Sequence, residues 1–140
     1  MNYDVKRFIK AQESEYSGYE QALAEIKAGQ KVSHWIWYIF PQLKGLGVSY
    51  NAVYYGIDGK AEAEAYIAEP ILNSRLREIC TELLKHRGSN IVHILGSIDA
   101  LKLKSSMTLF DTICPDDVFA EVLKVFYNGN HDEHTLKLLK

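Results

Sequence analysis

The spacing of apolar positions along the chain is helical almost throughout. Val5, Phe8 and Ile9 lie on one side of the segment 4–12, a short amphipathic helix. Ser17 and Glu20 have the S-x-x-E spacing of a capping box, in which hydroxyl and carboxylate satisfy free backbone N–H groups reciprocally. Tyr19, Leu23 and Ile26 then form an i, i+4, i+7 stripe that Gly29 can end. Asp58 is placed to cap an alanine-rich helix. Pro70 can occupy the first position of the next helix, which the pattern carries to Gly88 with Leu72, Leu76, Ile79, Leu83 and Leu84 inward. Ser89 and Ser97 are expected to cap two more helices. A further one opens at Cys114-Pro115-Asp116 and closes at Gly129, and a last short helix spans 132–140. No run of period-2 alternation bounded by hairpin turns occurs. The expected architecture is all-α, a compact multihelical bundle forming a single domain over 1–140.

Two segments depart from the amphipathic rule. Placed on a helical wheel, His34-Trp35-Ile36-Trp37-Tyr38-Ile39-Phe40 is apolar or aromatic in every direction, the mark of a helix inside its domain. His34 falls between Trp37 and Tyr38 on that wheel, so its ring is expected away from water. Pro41 ends the segment. The second is 97–113, where Ile98, Leu109 and Ile113 fall within roughly 60° of each other at about 100° per residue. Lys102 falls inside that sector, with Ser105 and Ser106 on its borders. A lysine in an apolar stripe must snorkel, find an acceptor or lose its charge. The two segments are therefore expected to be buried central helices, one of them carrying a misplaced cation.

Composition narrows the setting. The chain has 140 residues, 47% of them hydrophobic and 24% charged, which is ordinary globular make-up. The net charge is −2 and neither half of the chain is basic, so no nucleic-acid footprint is expected. The first seven residues already carry Asp4, Lys6 and Arg7 and lead into no apolar stretch, and the longest apolar run, 35–40, is far below the about 20 residues of a membrane span. Cys80 and Cys114 lie apart in helical patterns, as reduced core cysteines do. A cytoplasmic location with no membrane contact follows as the expectation.

Candidate chemistry is sparse. No G-x-S-x-G elbow, Walker loop or H-E-x-x-H is present. Gln42-Leu43-Lys44-Gly45-Leu46-Gly47 could let backbone N–H groups approach a phosphate, but an ordinary turn between helices is the favoured reading, since a lone G-x-G lacks the third glycine and the preceding strand. Trp35 and Trp37 could stack on a base or sugar, but aromatic groups at helical spacing usually fill cores. His131 and His134 stand at i, i+3 without an evident third ligand, so no metal and no cofactor is expected. Glu62 with Glu64, and Asp116 with Asp117, read as solvated faces.

Four blocks carry a resemblance. They are His34-Trp35-x-Trp37-x-x-Phe40-Pro41-Gln42-Leu43-x-Gly45-Leu46-Gly47; Phe8-Ile9-Lys10-Ala11-Gln12 with Tyr19-x-x-Ala22-Leu23; Tyr55-Gly56-Ile57 with Ala65-Tyr66-x-x-x-Pro70-x-Leu72; and Leu101-Lys102-Leu103-x-Ser105-Ser106-Met107-Thr108-Leu109-Phe110. Together they resemble the bacterial domain-of-unknown-function family 1810 over nearly the whole chain. The resemblance implies a compact multihelical domain and brings no activity. Its motifs emphasise polar residues in apolar settings.

Residues and resemblance together name His34, Trp37, Gln42, Lys44, Lys102, Ser105, Ser106 and Thr108 as candidate ligand-binding groups. The leading expectation is a small anionic or nucleotide-like ligand held where 34–47 meets 102–108. A protein-interaction or structural module is the second reading. An enzyme using His34 as acid or base and Lys102 as electrostatic stabiliser is the third.

Overall fold

A computed structural model describes residues 3–140, and among them ten helices and no strand. The organising element is α8 (Ser97–Ile113), against which α7 (Ile91–Leu95), α9 (Val118–Tyr127), α10 (Glu133–Leu138), α5 (Gly59–Ala68) and α3 (Ile36–Ile39) all pack. Leu103, Met107, Leu109 and Phe110 of α8 are fully buried. Ser105, Thr108 and Thr112 are tolerated there because the helix satisfies them itself. Ser105 donates to the Leu101 carbonyl at 3.2 Å, Thr108 to Lys104 at 2.8 Å and Thr112 to Thr108 at 3.0 Å. Ser106 is buried too, and its hydroxyl has no partner among the described residues.

A second layer is formed by α1 (Lys6–Gln12), α2 (Tyr19–Ala28) and α6 (Pro70–Leu84), with α6 also meeting α5 and α9. The core they close is aromatic-rich. Phe8 meets Tyr66 edge-on at 5.1 Å, Tyr66 meets Phe110 at 5.4 Å, and Phe110 meets Phe119 at 5.6 Å. Such offset and edge contacts suit the quadrupoles of the rings. No helix among the described residues is long and apolar enough to cross a membrane.

Several local expectations shift. The S-x-x-E pair does not cap α2; Gly18 is the N-cap residue and no side chain bonds there. A Cβ on Gly18 would lie 2.3 Å from the Ser14 carbonyl oxygen, so close backbone approach, rather than hydroxyl capping, decides this corner. Helix α6 starts at Pro70 as expected but ends at Leu84, four residues early, in a series of i→i−3 bonds. Asn90, not Ser89, caps α7, and Gly96 precedes α8 without a side-chain cap. Asp58 precedes α5 without capping it by its carboxylate. Asp117 caps α9 and is paired with Arg77 at 2.7 Å. Glu62 is not on a solvated face at all: it is 2% exposed and bound by Arg7. Cys80 is buried, where desolvation pushes its thiol up, and Cys114 is half-buried at the end of α8; both are free cysteines.

The buried central pair is only partly as expected. Helix α3 covers Ile36–Ile39, so His34 and Trp35 lie before it. Trp35, Ile36, Ile39 and Phe40 are buried, whereas His34 turns out to water. The wheel assumed helical geometry from His34 onward, and Trp35 (φ −128°, ψ 2°) does not have it. At the other end, α8 leaves the core: Ile98 is 70% exposed although it shares a sector with buried Leu109. The short helix α4 (Tyr50–Tyr54), capped by Ser49, was not foreseen. Beyond it a single parallel bridge joins Leu43 to Ile57, with Ile57 N–H on the Gln42 carbonyl and Lys44 N–H on the Ile57 carbonyl, both at 2.9 Å. The bridge needs Gly56, because a Cβ there would sit 2.7 Å from Lys44 Cα.

Candidate functional site

The exposed first turns of α8 stand between two hollows that share Ile98 and Lys102. The smaller, about 350 Å³, lies between the segment 31–37 and the start of α8. Lys31 enters it from the loop after α2, its backbone fixed by donation to the Ile94 carbonyl at 2.7 Å. Its ammonium donates to the Ser33 carbonyl at 2.6 Å, pairs with Asp99 Oδ2 at 2.7 Å and lies 5.0 Å from the Trp35 ring centroid. Lys102 approaches from the opposite side. Its Nζ is 3.5 Å from Asp99 Oδ1 and 5.0 Å from the Trp37 ring centroid. The misplaced cation of the wheel therefore finds both an acceptor one turn back and an aromatic face.

Asp99 thus serves two ammonium groups and, among the described residues, is the only carboxylate lining this hollow. One positive charge is left over. Trp37 is half-buried in the wall, and its indole N–H is buried without a partner among the described residues. Gly96 and Ser97, where the dipole of the 17-residue α8 begins, form the floor with Leu95. His34 reaches the rim from the exposed loop.

The larger hollow is a groove of about 450 Å³ along α8, walled on one side by 46–52 and on the other by Asp132 and His134. Gln42 is buried at its base, and Ser105 lines it. The groove's far wall is tied to α8, because Asp132 N–H donates to the Thr108 hydroxyl at 2.8 Å and His131 Nε2 meets Asp111 at 2.7 Å. Asp132 also caps α10 through Thr135. His131 and His134 therefore take different tasks, and no group of three or more His, Cys, Asp or Glu side chains comes together at metal-binding spacing among the described residues.

Of the eight candidate residues, His34, Trp37 and Lys102 share the smaller hollow, and Gln42, Ser105 and Lys102 the groove. Lys44 is exposed and lines neither. Ser106 and Thr108 are buried in the core, with Thr108 occupied by the backbone bonds just described. Trp35 is a core residue. Sequence reasoning missed Lys31, Asp99, Ile98 and Leu101 as lining residues. Asp99 was legible at i−3 from Lys102, whereas nothing local marks Lys31.

These features define a compact all-α domain built on one central helix, with its polar site where that helix emerges. The chain belongs to the family described as protein of unknown function (DUF1810), which matches residues 2–139. It is similar to the crystal structure of the conserved hypothetical protein Rv1873 from Mycobacterium tuberculosis, at 41% identity and a TM-score of 0.92 over 98% of this chain and 96% of that one. No curated protein matches the chain.

Proposed function

We propose that the domain binds a small anionic or nucleotide-like ligand at the emerging end of α8, with its anionic group in the hollow between Lys31 and Lys102. The observation that supports this reading is the charge inventory of that hollow: two ammonium groups against one carboxylate. Lys31 is held by Asp99 and the Ser33 carbonyl, so the weakly paired group is the partly exposed Lys102 ammonium, 3.5 Å from Asp99, which an anion from outside would neutralise. The start of α8 adds backbone N–H groups and a helix dipole of the right polarity.

The test is a thermal-shift screen of phosphate, nucleoside monophosphates, sugar phosphates, nicotinamide derivatives and small carboxylates on the native protein and on Lys102→Met and Lys102→Arg. A ligand at a hundred times its dissociation constant adds about 2.7 kcal/mol of stability. Lys102→Met is expected to weaken binding about tenfold or more, while Lys102→Arg keeps most of it and binding falls as salt rises. Absence of any shift with the native protein, or a shift that survives Lys102→Met unchanged, would refute the proposal.

A second reading, a protein-interaction module, draws on the exposed apolar side chains Val48, Ile98 and Leu101 around the groove. In that case no small anion stabilises the protein.

A further inference from the structure

Resting on the anion-binding reading, we infer that the ligand is an aliphatic monocarboxylate, with its carboxylate between Lys31 and Lys102 and its chain lying in the groove along α8. Three observations converge on this class.

The first is continuity. The charged hollow and the groove meet across Ile98 and Lys102, so a ligand held at its head by the lysines has one direction in which to extend. From Ile98 to Ser105 the helix axis advances about 10 Å, the length of an extended chain of about eight carbons.

The second is the character of the lining. Leu46, Val48, Ala52, Ile98 and Leu101 give the groove aliphatic walls, and among the described residues the imidazole of His134 at its far wall is the one ring that lines it. A purine or nicotinamide ring would find no Phe, Tyr or Trp face along the groove to stack on. Val48 is 97%, Ile98 70% and Leu101 67% exposed, so the chain itself leaves this surface uncovered and an alkyl chain would cover it. The groove is open rather than enclosed by a lid, so an occupant is covered only in part.

The third is valence. Within the hollow that would take the head group, Lys31 and Lys102 less Asp99 leave a single positive charge, which a carboxylate balances; Asp132 stands apart on the groove's far wall. A phosphate dianion would leave net negative charge in a half-buried site.

The experiment is calorimetric titration of the native protein, Leu101→Ser and Lys102→Met with butanoate, hexanoate, octanoate, octylammonium, adenosine monophosphate and inorganic phosphate. Leu101 is mostly exposed, so its replacement leaves the fold intact. Native affinity is expected to rise two- to threefold per added methylene, less than the about fourfold of complete burial. Leu101→Ser flattens that slope, Lys102→Met weakens every carboxylate about tenfold, and octylammonium does not bind. A slope of zero, or equal binding of octylammonium, overturns the inference. If phosphate or adenosine monophosphate binds through Lys102 while chain length has no effect, the anion site stands and the aliphatic assignment falls. If none of the anions binds, both fall.

Discussion

Replacing Glu25 by alanine is expected to lower the unfolding free energy by about 3–5 kcal/mol, measured by urea titration at neutral pH. The carboxylate is buried and accepts from the backbone N–H groups of Val32 and Ser33 at 2.6 and 2.9 Å, the Ser33 hydroxyl at 2.6 Å, the Trp35 indole at 2.9 Å and the Gln21 amide at 2.7 Å. Truncation leaves these donors unsatisfied in the interior, the costly half of any hydrogen bond. It also frees the segment that carries Lys31, His34 and Trp37 to the site.

The same residue governs acid stability. Burial pushes the carboxyl up, but the hydrogen bonds from Ser33, Val32 and Gln21 outweigh it and bring the pKa down to about 2. A lowered pKa in the folded state means that the unfolded chain takes up the proton first as pH falls. The contribution, on the order of 3 kcal/mol at about 1.4 kcal/mol per pH unit of displacement, is complete above the ordinary carboxylate range. It shrinks below about pH 4.5 and is gone once the pH passes below about 2. The deficit of Glu25→Gln relative to the native protein should narrow accordingly between pH 5 and pH 2. A deficit that stays constant across that range would show that the ionised form is not what stabilises the fold.

The second large effect is expected at Glu62. Its carboxylate takes two bonds from Arg7, at 2.8 and 3.3 Å, and one from the Asp58 N–H at 2.7 Å. Arg7 in turn donates to the Tyr54 and Gly56 carbonyls at 2.9 and 3.1 Å and lies 4.3 Å over the Phe8 ring. Glu62→Ala strands a guanidinium in a largely buried position and should cost about 3–5 kcal/mol. Replacing both partners by apolar residues of similar size, as in Arg7→Met with Glu62→Leu, should cost much less than the sum of the single changes. Strict additivity in that double-mutant cycle would mean that the pair is not coupled. The pair also pins the stretch 54–58, and through the Leu43–Ile57 bridge the position of Gln42 in the groove.

These two carboxylates show where the sequence stops being readable. Helix identity was legible because apolar spacing is local: Leu72, Leu76, Ile79 and Leu83 of α6 are buried as their periodicity requires, whereas of the stripe read on α8 only Leu109 is buried, Ile98 being exposed and Ile113 half-buried. Glu25 and Glu62 sit among polar neighbours, and their donors come from loops whose approach no spacing announces. Lys102 was legible as an anomaly, and Asp99 as its i−3 partner. Lys31 was not, since only the packing of α7 against α8 brings it there. His34 failed for a related reason. Its wheel position presupposed a helix, and the backbone becomes helical two residues later.

Asp99 divides its two oxygens between two amines, so if the hollow takes an anion as proposed, the preferred valence of that guest depends on a single side chain. A homologue carrying asparagine there would present a doubly cationic cradle, suited to phosphoryl groups rather than to a lone carboxylate. Exchange of one oxygen for one amide nitrogen would then be enough to redirect the same scaffold from one chemical family of metabolites to another.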